Sequence, residues 1–150
     1  MGEYDDCQSN VLTAEGQLDT GHSQVWEMFV WDTAGCSIWP HFKVHGFSGD
    51  IDIGAWFICH NGYKAGLECD EGTLVNSGFD HLCDAYPCCI SNGTSSVEEV
   101  RMAPDCPYTT DDSGYAKVKV YRYSGSCDSY YISIVETKGK NPELEKLKEK

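Results

Sequence analysis

This 150-residue chain offers five histidines, 24 acidic residues and nine cysteines from which chemistry could be built. His41 and His45 have the HxxxH spacing that brings two metal ligands together on a helix. The segment His41-Phe42-Lys43-Val44-His45 alternates like a strand, however. Four residues of extended chain cover about 13 Å, and metal ligands sit about 2 Å from their ion. The pair therefore reads as two water-facing histidines. His22, His60 and His81 stand near turns and share no spacing. Asp50 and Asp52 fall on one side of a strand, about 6–7 Å apart at the backbone. Such a pair suits glycoside hydrolysis or calcium. No D-x-[DN]-x-[DN]-G loop surrounds it, and so acidic a chain produces such pairs by chance. No G-x-S-x-G elbow and no glycine-rich phosphate loop occurs. Cys59 and His60 are strand neighbours that point to opposite faces, so they form no nucleophile–base pair. No catalytic residue, metal site or cofactor is assigned.

The cysteines are Cys7, Cys36, Cys59, Cys69, Cys83, Cys88, Cys89, Cys106 and Cys127. Cytosolic thiols are kept reduced, so this usage points to an oxidising compartment unless the sulfurs bind metal. Zinc sites need paired short spacings. Here the gaps are long and irregular, and only Cys83, Cys88 and Cys89 lie close. A disulfide framework is the expectation. Nine is odd, which leaves at least one cysteine outside it. Cys7 and Cys127 are suited to tie the chain ends to the body. Asn92-Gly93-Thr94 is a glycosylation sequon, as on a surface loop of a secreted protein. Met1-Gly2 before an acidic start reads as a mature form whose signal has been removed. The net charge of −13 repels nucleic acid and anionic membranes. No apolar run approaches the length of a membrane span.

The elements that must position these residues are mostly strands. Residues 25–31 are aromatic and β-branched. In residues 41–45, Phe42 and Val44 face the core, with His41, Lys43 and His45 outward. From Ile51 to Cys59 the odd positions share one face, and Asp50, Asp52, Trp56 and His60 share the other. Asn61-Gly62 is a hairpin turn leading to a partner strand over 64–69. Residues 70–95 lack periodicity and read as a long loop pinned by cysteines. Val97 to Met102 is a short strand, or a helical turn, ended by Pro104 and Pro107. Residues 115–123 and 130–135 read as a final hairpin. Ala116, Val118, Val120, Ile132 and Ile134 point inward, and Lys117 and Lys119 outward. Asn141-Pro142-Glu143 suits a helix start. One domain over 1–138 with a charged tail over 139–150, helical or an appended tag, is the expected organisation. The fold class is mainly β, an antiparallel sandwich or barrel stapled by disulfides, with room for one short helix near 11–20 or 79–86.

The acidity, cysteine content and strands resemble the small secreted effector and elicitor proteins of filamentous plant-associated fungi. Val25-Trp26, Phe42-Lys43-Val44, the strand ending in Cys59, and residues 127–135 are similar to the Alternaria-type allergen family of β-barrels. A second resemblance is to guanyl-specific ribonucleases and ribonuclease-like fungal effectors. Trp39-Pro40-His41-Phe42 resembles their segment with a strand histidine, and Val100-Arg101-Met102 their arginine strand. Residues 118–126 resemble the strand of their second histidine, with Arg122 in its place. Arginine is no proton donor near neutral pH, and no catalytic glutamate is in register. This resemblance implies a binding scaffold with His41, Arg101 and Arg122 as remnants.

The expected function is a secreted interaction protein, a virulence or avirulence effector that binds a host protein or receptor. The alternatives are a secreted hydrolase, most sharply a ribonuclease, and a carbohydrate-binding module. The last would use a glycan as partner and exposed aromatics such as Trp56 and Tyr131 as its platform.

Overall fold

A computed structural model of the chain describes residues 3–5, 10–31, 40–46, 49–78, 81–93, 97–124, 128–137 and 145–149. They form strands and turns, with no helix among them. The strands are β1 (Glu3–Asp5), β2 (Asn10–Leu18), β3 (Ser23–Trp31), β4 (His41–Gly46), β5 (Asp50–Cys59), β6 (Gly66–Glu71), β7 (Thr73–Val75), β8 (Cys88–Ser91), β9 (Val97–Asp105), β10 (Gly114–Ser124), β11 (Asp128–Thr137) and β12 (Glu145–Glu149). One sheet runs β1-β3-β10-β5-β8-β7, with β12 also on β3. The other runs β2-β11-β4-β9-β6. The two sheets pack as a sandwich.

Alternation explains the core. Ala116, Val118 and Val120 of β10 are fully buried beside Phe57, Ala55 and Ile53 of β5. Phe42, Val44, Val100, Met102 and Ile132 meet them from the second sheet, also fully buried. Three buried polar residues cross the gap. Trp26 Nε1 donates to Tyr130 Oη at 2.8 Å, and that hydroxyl donates to Gln24 Oε1. Gly16 faces Tyr130 across the β2–β11 pair. A Cβ there would lie 2.4 Å from the tyrosine ring, so only glycine admits the ring.

A third, partial layer covers the outer side of β5 and β10. Lys119 Nζ holds Asp84 Oδ1 at 2.9 Å, His81 stacks edge-on against Tyr121, and Leu82 is fully buried. Its carbonyl would be 2.1 Å from a Cβ at residue 54, which explains Gly54. Three expectations are corrected here. Lys119, Asp52 and Trp56 are buried, at 8%, 5% and 3% exposure, on a face that strand periodicity alone assigns to water; Asp84 covers Lys119 and Leu82 covers Gly54.

Disulfides join Cys59 to Cys106, Cys69 to Cys89 and Cys83 to Cys88. Cys7, Cys36 and Cys127 lie outside the described residues. The adjacent Cys88 and Cys89 point to opposite faces of β8. Cys89 therefore reaches β6 in the other sheet, and Cys88 reaches the covering segment.

Other expectations are corrected. β10 and β11 are not a hairpin: each lies in a different sheet. Both have one apolar face, which suits facing layers as well as a shared sheet. The Asn61-Gly62 turn is present, but after the Ile58–Lys64 bridge the chain leaves β5 and pairs with β9 as β6. Residues 70–95 include strands β7 and β8. β9 continues through Pro104, which pairs with Leu67 of β6, past its last β4 partner at Arg101. The helix expected near 11–20 is strand β2, and residues 81–86 are turns and bends; 79 and 80 lie outside the described residues. Residues 145–149 are not helical. They pair with Gln24–Glu27, along the β3 edge that β1 leaves open beside residues 29–31. A short helix with two leucines has little to bury, whereas an open strand edge supplies backbone partners.

Candidate functional site

Two exposed tyrosines, Tyr63 and Tyr108, are brought together at one end of the sandwich. Cys59 ends β5 and the chain turns at Asn61-Gly62, with Gly62 at φ 87°. Gly62 N donates to Cys59 O, and Cys59 N to Tyr63 O, both at 2.8 Å. Beyond β9, Cys106 returns to Cys59 through the disulfide, and Asn61 Nδ2 donates to Pro107 O at 3.0 Å. These links set Tyr63 and Tyr108 against each other, ring centroids 5.0 Å apart. Tyr63 is 53% and Tyr108 85% exposed. Tyr108 adopts φ 64°, a left-handed conformation that costs a bulky L-residue about 1–3 kcal/mol. The framework supplies that cost while the ring itself buries little.

The rim of this tip is acidic. Asp105 and Asp111 are exposed and Asp112 is half-buried. Cys106 N donates to Asp112 Oδ1 at 2.8 Å, and Ser113 N to Asp111 Oδ1 at 2.9 Å. The Ser113 hydroxyl bond, then its backbone N–H, hold the Asp111 carboxyl below its usual range against a small desolvation cost, with His60 3.8 Å away adding to the effect. Asp111 thus stays anionic further into mild acid than a free carboxyl.

The ribonuclease-like candidates separate. His41 and Arg101 are direct partners across β4 and β9. His41 Nε2 lies 3.2 Å from Glu99 Oε2, and Arg101 is 3.4 Å from Asp70. Glu99 was missed in sequence, because only the strand register brings it to His41. His41 is 8% exposed rather than outward to water. Arg122 is elsewhere: it is fully buried between the sheets, and its Nε donates to Leu18 O at 2.7 Å. It holds two layers together and faces no cleft. His45 is exposed, as expected.

Trp56 is buried, so of the two aromatics expected to form a glycan platform only Tyr131 is exposed. Asn92 is exposed just after β8; Thr94 of its sequon lies outside the described residues. Asp50 and Asp52 do converge, joined by Glu98. No family model matches this chain, and no curated protein shows significant similarity to it.

Proposed function

We propose that this chain is a secreted, disulfide-stapled interaction protein that engages a partner protein with exposed Lys or Arg through the Tyr63–Tyr108 tip. The observation that carries the reading is the paired rings held exposed over the Cys59–Cys106 bridge. Rigid tyrosines give large contact area at small entropic cost. Their faces attract cations, and Asp105 and Asp111 beside them favour the same partner chemistry. Three disulfides support an oxidising location, and the exposed Asn92 fits glycosylation there. Action as a virulence effector on a host receptor rests on the resemblance to fungal effectors.

The test is a screen of host receptor ectodomains and a glycan array, each probed with wild type and with the double variant Tyr63→Ser/Tyr108→Ser. An ectodomain that binds wild type and loses about 30-fold or more in the variant, as for a hot spot, is the expected result. Glycan binding lost in the variant would instead establish the carbohydrate reading. Ectodomain binding indifferent to both tyrosines would remove the tip from the interface.

One observation favours a second reading: the His41–Glu99 pair beside Arg101 has the parts of an acid–base phosphodiesterase. Against it, Arg101 is engaged by Asp70, Arg122 is buried away, and the net charge is −13. Incubation with RNA is expected to give no cleavage. Cleavage abolished by His41→Ala would replace the interaction reading with a nuclease.

A further inference from the structure

We propose that Asp50 and Asp52 of β5 and Glu98 of β9 bind a calcium-sized divalent cation. One carboxylate oxygen from each lies within 4.8 Å of the others. Calcium–oxygen distances are about 2.3–2.6 Å, so ligands on opposite sides of the ion are separated by about 4.8 Å. The three oxygens therefore fit one such coordination sphere. Calcium tolerates an irregular oxygen shell, whereas magnesium demands near-ideal octahedral geometry and dehydrates reluctantly, which favours calcium at partly buried carboxylates.

Proximity of carboxylates is not the only pointer. Asp52 and Glu98 are 5% and 8% exposed and Asp50 is half-buried, unlike acids on a solvated face. Glu98 Oε2 accepts a hydrogen bond from Ser91 Oγ, which fixes the carboxylate. Its other oxygen, Oε1, is shut off from water and accepts no hydrogen bond among the described residues; nor does Asp50 Oδ1. Buried charges are paired or coordinate metals. Beside Glu98 Oε1 stands Gly93, where a Cβ would come within 2.9 Å of that oxygen. A larger residue would crowd that oxygen. Three anionic ligands, with waters completing the shell, match the modest affinity of extracellular calcium modules, about 10⁻⁴–10⁻³ M. Asp50, Asp52 and Glu98 lie at the starts of β5 and β9, whereas the tyrosine tip follows their far ends, and the inference is independent of what the tip binds.

Thermal unfolding of the full chain in EDTA and in CaCl₂ tests the site. At about 100-fold excess of calcium over Kd, the Tm of the wild type is expected to rise by about 5–10 °C. In Glu98→Gln the calcium-dependent rise disappears, while its Tm in EDTA equals or exceeds that of wild type, because one buried repulsion is gone. Asp50→Asn should behave alike. The crossing of the two curves separates ligand loss from a folding defect. Equal Tm of wild type in EDTA and calcium overturns the proposal. So does a rise of the same size in Glu98→Gln, which would mark general screening of the −13 charge. An equal rise with MgCl₂ overturns the assignment to a calcium-sized ion.

Discussion

Replacing Cys59 and Cys106 together by alanine is expected to cost about 4 kcal/mol of stability, the largest loss from any of the three described bridges. In the chain-entropy account the loss grows with the logarithm of the closed loop. The Cys59–Cys106 bridge spans 47 residues, Cys69–Cys89 spans 20 and Cys83–Cys88 spans 5. The same relation gives about 3 and about 2 kcal/mol for the shorter two. Urea titrations of the three double-alanine variants check the order. A reversed order would mean that packing around the sulfurs, not loop closure, sets their worth. The first variant should also lose the tip, since the bridge holds the Asn61–Tyr63 turn against Pro107-Tyr108. Partner binding should therefore fall even in conditions where the sandwich is still folded.

The second large effect is expected at Tyr130. Its hydroxyl accepts from Trp26 Nε1 and donates to Gln24 Oε1, and the residue is fully buried. Tyr130→Phe removes the hydroxyl and strands a buried donor and a buried acceptor, each costing about 1–3 kcal/mol. Tyr130→Ala adds a cavity where the ring lay, and should exceed about 4 kcal/mol. Equilibrium urea unfolding followed by circular dichroism measures both. A loss below about 1 kcal/mol for Tyr130→Phe would mean that water or a rotated Gln24 takes over. Because the ring comes from one sheet and its partners from the other, this cluster fixes how the layers sit together.

The β class, the inward positions of β4, β5 and β10, and the oxidised framework were legible, since strand periodicity and cysteine number are local properties. Partition of strands between sheets was not. Residues 115–123 and 130–135 each present a clean apolar face, and that pattern is the same for neighbours in one sheet and for opposed strands in two. Burial of Lys119 was invisible for a similar reason: the segment that covers it, 81–84, carries no periodic signal. Glu99 reaches His41, and Glu98 reaches Asp50 and Asp52, only through tertiary register. The tyrosine tip was hidden because Tyr63 and Tyr108 are far apart in the chain and their turns look ordinary. Asp50 and Asp52 were seen as a pair, but two carboxylates on a strand say nothing until a third is placed.

The opposed sulfurs of Cys88 and Cys89 set a problem of order in time. In an unfolded chain the two thiols are one residue apart and nearly equivalent toward Cys69 and Cys83. Loop closure alone hardly separates right from wrong pairs. Discrimination comes only once β8 is pleated against β5, since the pleat sends one sulfur inward and the other outward. Oxidation that outruns strand pairing traps swapped isomers, and their rescue requires thiol–disulfide exchange. Fast thiol–disulfide exchange is thereby expected to speed its maturation, and the native bonds record the sheet instead of creating it.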